Sequence, residues 1–259
     1  MIAFTMPNKQ ELIENQKKYN LKEMPELRDR FRNMPFFHQI RTFSYDEHRF
    51  LKPKQILESN QLISLKLQGP NADAAFGGTS DYDKALGRDE YVYLRLGAVF
   101  NVYSVKSFIV EIPSSYLDFA DIEKGFFCND ISNYQIDYEN YDLKNYKGTI
   151  LSIRQGIDIL ADYVGNEYQN DPSQYTIARS HRNIYNAKSF LPEFAVKGSI
   201  AINEPGIKIH LVGLPRELIE EAQIIMEKHN YSPPVIHNSN NDFKNYLTNK
   251  FNSILRERT

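Results

Sequence analysis

Three short stretches combine residue types that could do chemistry. Glu193 stands between Pro192, which fixes the backbone before it, and Phe194, which makes its surroundings partly apolar. A carboxylate fenced in this way can be held at the mouth of a cleft and present a fixed negative charge. His38 follows Phe36 and Phe37 in an apolar run, where an imidazole can donate a hydrogen bond to a ligand. The run from Phe76 through Gly77-Gly78-Thr79-Ser80-Asp81-Tyr82-Asp83 pairs two glycines with hydroxyls, carboxylates and an aromatic ring. Paired glycines let the backbone turn through φ > 0 and approach a ligand without interference from Cβ. Each stretch also has a purely structural reading: a surface hairpin, a hydrogen-bonded core histidine and a solvated residue at a strand end.

The elements that must position these residues are legible in outline. Tyr91 to Leu96 alternates strictly, with Tyr91, Tyr93 and Arg95 on one side and Val92, Leu94 and Leu96 on the other, which predicts a strand. Phe36 to Arg41, Gln61 to Leu67, Ser107 to Ile112, Phe194 to Ile202 and Ile207 to Val212 also read as strands. Helices are expected over Asn8 to Asn20, from Pro25, from Pro53 to Ser59 and from Pro215, with Asn60 in the left-handed closing position of the third. Ile153, Ile157, Leu160 and Val164 predict a further amphipathic helix. Asp118 to Gly148 is expected to be a long irregular excursion, and Ser232 to Asn241 a linker before a last helix capped by Asp242. Strands at both ends with helices between them suggest an α+β fold on a split, largely antiparallel sheet. The expected division is a helical segment at 1–34, a catalytic domain at 35–230 and a linker with a C-terminal helix at 231–259.

Composition narrows the classes of function. The chain has 259 residues, 41% hydrophobic and 25% charged, with a formal net charge of -2, so no bulk charge draws it to nucleic acid. One cysteine, Cys128, leaves no disulfide framework. No apolar run approaches the ~20 residues that span a bilayer, and the first fifteen residues lack a signal-peptide pattern. Leaderless secretion would leave no such mark. Six histidines without ligand spacing argue against a metal enzyme, and no Gly-rich loop runs into Lys-Ser/Thr as in a P-loop ATPase. Cys128 with the downstream His181 would be the pair for nucleophilic catalysis. Arg179, His181 and Arg182 form a compact cationic group.

In order, these segments resemble the ADP-ribosyltransferase superfamily. His38 stands where that family grips NAD. Gln55-Ile56-Leu57-Glu58-Ser59-Asn60-Gln61-Leu62-Ile63-Ser64 matches its helix and turn, Gly78 to Tyr82 its nicotinamide border, and Pro192-Glu193-Phe194-Ala195-Val196 its late glutamate at a strand edge. The resemblance covers about residues 35 to 212. Phe-x-His at Phe36 to His38 resembles the bacterial type III effectors that modify host arginines by ADP-riboxanation. Two departures from that group stand out: no ankyrin repeats are visible in these 259 residues, and Leu191-Pro192 precedes Glu193 in place of the arginine-specific Glu-x-Glu.

The resemblance implies NAD as co-substrate, with Glu193 and His38 as the catalytic pair. Phe36, His38, Arg41, Phe76, Thr79, Ser80, Tyr82 and Phe100 would line the NAD cleft. Arg179, His181, Asp81 and Asp83 would face the acceptor. It further implies a protein substrate in a host cell, secretion into the host cytoplasm or else residence in the bacterial cytoplasm, and a host activator such as calmodulin. No metal or membrane is implied. Two other readings stay open: a nucleic-acid-directed ADP-ribosyltransferase toxin using the cationic group as its groove, and a non-catalytic binding module.

Overall fold

The structure is a computed structural model and describes residues 6–42, 51–68, 87–97, 106–117, 121–129, 150–167 and 192–256. Its centre is an eight-stranded mixed sheet in the order β10-β9-β4-β1-β3-β7-β5-β6. These strands are β1 (Phe36–Thr42), β3 (Tyr91–Leu96), β4 (Lys106–Ile112), β5 (Gly125–Asn129), β6 (Leu151–Ser152), β7 (Pro192–Lys197), β9 (Lys208–Val212) and β10 (Val235–His237). Every pairing in it is antiparallel except β9 with β10. A separate two-stranded ribbon joins β2 (Gln61–Ile63) to β8 (Ser199–Ala201). The class is therefore α+β, as the sequence predicts.

One face of the sheet carries the main core. Phe36, Leu94, Leu96, Val110 and Phe194 lie buried there with Ile157, Leu160 and Val164 of α5 (Ile153–Glu167) and Leu27 and Phe31 of α2 (Pro25–Arg32). The amphipathic spacing in α5 places its apolar stripe on that face, and Gly156 lets the helix approach closely. A Cβ at Gly156 would stand 2.2 Å from the Cβ of Phe127. Gly156→Ala should therefore destabilise the protein by about 1–3 kcal/mol or more, read as a lower urea midpoint at constant m-value.

The remaining helices are α1 (Lys9–Lys18), α3 (Leu51–Ser59), α4 (Leu65–Gln68), α6 (Arg216–Lys228) and α7 (Asn240–Arg256). Asn8 caps α1 in a capping box with Glu11, and α3 and α6 pack on each other through the Lys54–Glu221 bridge at 2.7 Å. Asn60 takes φ 58° after α3, as its position predicts. The helix α7 lies on the sheet's other face, with Phe251 edge-on to Phe37 at 6.2 Å and Phe243 against His210 at 5.4 Å.

Five local expectations are corrected. Gln61 to Leu67 is not one strand, because the chain turns into α4 after Ile63. Phe194 to Ile202 is broken at Gly198, whose φ of 81° sends β8 out of the main sheet to pair with β2. The stretch read as an irregular excursion contains β5, which is buried between β6 and β7. The expected linker contributes β10, and the cap of α7 is Ser239. Its Oγ accepts from the Asp242 amide at 3.2 Å while Asp242 accepts from the Ser239 amide at 3.0 Å.

Candidate functional site

Glu193 is the second residue of β7, between β3 and β5, with Cys128 as its partner across the ladder. The pairing of Tyr93 with Ala195 puts Tyr91, Tyr93, Arg95, Ala195 and Glu193 on one face of the sheet, since alternate residues of a strand share a face. That face is opposite the one packed by α2 and α5. The Glu193 side chain is 14% exposed, and an Nη of Arg95 stands 3.8 Å from its Oε1. This separation is an ion pair and is longer than a direct hydrogen bond. Tyr91, Phe126, Cys128, Ile150 and Ala195 form a small buried cluster on the same face, with Tyr93 packed against it. Burial, with the negative charges of Glu90 and Glu123, pushes the Tyr91 hydroxyl up to about 12. The carboxylate of Glu193 thus sits at the edge of an aromatic, partly dehydrated floor supplied by β3 and β5, whereas Phe194, its neighbour in sequence, faces the main core.

His38 is placed differently. It pairs with Val110 on β4, and its Nδ1–H donates to the Tyr93 carbonyl at 2.9 Å, which sets the tautomer. Phe37 pairs with Arg95, so Phe37 shares the Glu193 face and His38, one residue on, belongs to the other. Phe36 confirms the parity, because its ring meets that of Phe194 edge-on at 5.0 Å within the main core. Phe36, expected to line a cofactor cleft, is completely buried in that core. His38 and Glu193 are close in strand order, with only β3 between them, but the register does not bring their side chains to one face. Arg41 is on β1 opposite Ser107. Phe76, Thr79, Ser80, Asp81, Tyr82, Asp83, Phe100, Arg179 and His181 lie outside the described residues.

A second polar cluster was not anticipated. On the Glu193 face, but at the far half of the sheet, Glu111 of β4, His210 of β9 and His237 of β10 form a buried chain. His210 Nε2–H donates to Glu111 Oε2 at 3.0 Å, and His237 Nε2–H donates to His210 Nδ1 at 3.0 Å. From α7, the Tyr246 hydroxyl donates to the same oxygen at 2.7 Å and the Lys250 ammonium donates to Oε1. The signals were a carboxylate between Val110 and Ile112 and a histidine between Ile209 and Leu211, both inside apolar strands. Burial would raise the Glu111 carboxyl, but hydrogen bonds from His210, Lys250 and Tyr246 outweigh it and hold the group at about 2. Burial lowers both histidines, and the neighbouring His210 helps bring His237 down to about 4.

These directions fix a pH dependence. His237 binds a proton less readily in the fold than in the unfolded chain, so the unfolded state takes up protons first as pH falls. Stability is therefore full above about 6.5 and declines toward about 4, by up to ~3 kcal/mol from this residue. Glu111, depressed from 4.5 to about 2, extends the decline below that window. Urea midpoints measured from neutral to acid pH should trace this loss, and His237→Gln should flatten its upper part.

Among the described residues, no group of three His, Cys, Asp or Glu side chains is arranged to hold a metal ion, and no helix is long and apolar enough to cross a membrane. A cavity of about 390 Å³ opens by Met24, Leu27 and Gly165 at the start of α2, and it includes none of the predicted site residues. Compared with known protein families and with curated proteins, the chain matches none.

Proposed function

We propose that the protein is an NAD-dependent ADP-ribosyltransferase that modifies a protein side chain, arginine in the first instance, and that it acts as a bacterial effector. One observation supports this reading most: Glu193 is held inside the sheet, only partly exposed and beside Arg95, on a face floored by Tyr91 and Tyr93. Departure of nicotinamide from the ribose C1′ leaves an oxocarbenium-like centre that a fixed carboxylate stabilises. Glu193 supplies that charge and accepts a hydrogen bond from a ribose hydroxyl. The electron pair of the broken C1′–N bond leaves with nicotinamide, and the acceptor nitrogen bonds to C1′ and releases its proton to solvent. Arg95 orients Glu193. The role of His38 is to position β3, through its bond to the Tyr93 carbonyl, and this replaces the direct NAD contact implied by resemblance.

NAD enters as co-substrate and leaves as nicotinamide plus the ADP-ribosylated acceptor, so the protein needs no metal for this step. The net charge of -2 favours a protein acceptor over a nucleic acid, which requires a concentrated basic surface. The discriminating experiment supplies labelled NAD with either cell lysate protein or mixed DNA and RNA. Label on protein is expected. Label confined to nucleic acid, weakening steeply as salt is raised, would replace the acceptor class.

A further inference from the structure

We propose that the Glu111–His210–His237 chain is an acid-released latch that holds the C-terminal helix α7 across the sheet. The helix crosses in steps. Tyr246 meets the two histidines, with ring centroids 5.0 Å from His210 and 5.5 Å from His237. One turn on, Lys250 reaches Glu111, and Phe251 then meets Phe37 on β1. Glu111 is thus the single acceptor on which two side chains of α7 and the histidine pair converge. The apolar contribution of α7 comes mainly from Phe243, Leu247 and Phe251. The Glu111 contacts supply the polar half of its attachment.

In its neutral form the latch satisfies every nitrogen along the chain. His237 donates to His210, His210 donates to Glu111, and each nitrogen in the chain that faces a donor offers a lone pair. A proton added to His210 would put N–H against N–H across the 3.0 Å contact with His237 unless His237 moves its own proton to Nδ1, and in either case it sets a second cation beside Lys250. A proton added to His237 would place a second cation in a buried site where Lys250 already balances Glu111. The surrounding charges are few: Glu111 on β4, Lys208 on β9, and Asp242 and Lys250 on α7, with the Tyr246 phenol beside them. Among the described residues, only Asp242 adds a further negative charge for His237. Acidification therefore leaves excess positive charge under the helix, and it is relieved when α7 lifts and water enters. The uncovered surface, around Phe37 and Glu111, continues into the half of the same face that bears Arg95 and Glu193.

Hydrogen exchange of the whole protein tests this, with rates corrected for the intrinsic effect of pH. Protection in residues 240–256 is compared with that in residues 153–167 at about pH 7 and about pH 4.5. A fall of about tenfold or more in the α7 segment beyond whatever fall α5 shows from the loss of global stability is expected. Equal losses in both segments would mean that acid acts on global stability alone and would overturn the latch. His237→Gln keeps an N–H donor toward His210 but cannot take up a proton. It should reduce the acid effect on α7 to within about threefold. An undiminished effect in that variant would equally overturn the proposal.

Discussion

Glu193→Gln should lower ADP-ribosyl transfer by ~10²-fold or more while leaving the unfolding midpoint within ~0.5 kcal/mol of the parent. The substitution preserves the shape of the side chain and its ability to accept one hydrogen bond. What it removes is the charge facing the oxocarbenium centre, which matters most in a site shielded from water. The stability expectation follows from the 3.8 Å separation to Arg95, at which a partly exposed pair contributes little to folding. Transfer assays with labelled NAD and urea unfolding on the same preparation read the two quantities independently. Near-parental turnover would make Glu193 a structural residue, and a large loss of stability would make the activity result uninterpretable as chemistry.

The largest stability effect is expected at Asp162→Ala, with a loss of about 3–5 kcal/mol. The Asp162 side chain, 2% exposed, accepts from Arg28 Nε at 2.9 Å, from Arg28 Nη2 at 2.5 Å and from the Met24 amide at 2.9 Å. Met24 precedes the first turn of α2, and its own side chain provides no cap. Asp162 therefore caps α2 from across the interface, from within α5, and adds the negative charge that a helix N-terminus favours. Its hydrogen bond raises the Arg28 guanidinium further above its ordinary range, so that side chain stays charged at all working pH. Without the carboxylate, a largely buried guanidinium and an orphaned amide remain. The urea midpoint reads this loss, and a change below ~1 kcal/mol would show that water replaces the missing partners.

The parts of the fold that were legible are those in which one local rule decides. Strict alternation over Tyr91 to Leu96 gave β3 its correct faces, and the heptad-like spacing from Ile153 to Val164 gave α5. Asn60 took the left-handed turn that its place after α3 requires. The parts that were missed depend on partners distant in sequence. β5 and β10 are short, and their strand character comes from pairing with β7 and β9. Gly198 looked like one residue of a continuous strand, but its φ of 81° divides two sheets.

The candidate site shows the same limit. Glu193 stands out by its immediate neighbours, Pro192 and Phe194, but Phe194 faces the main core, and the aromatic residues on the Glu193 face are Tyr91, Tyr93 and Phe126. Pairing it with His38 depended on register, and a shift of one residue exchanges the faces of a strand. Arg95 was placed by alternation on the polar side of β3, but its proximity to Glu193 needed the β3–β7 ladder. Glu111, His210 and His237 come from three strands up to 126 positions apart by their numbers, and no local pattern joins them.

The central claim is most directly tested by incubating the purified protein with NAD and host-cell lysate and measuring released nicotinamide together with the intact mass of the modified protein. The account predicts nicotinamide release that depends on the lysate, a mass gain of one ADP-ribose unit or slightly less on a protein acceptor, and loss of both with Glu193→Gln. Folded protein that releases no nicotinamide and adds no mass, in lysate that supplies acceptor and activator alike, would contradict it.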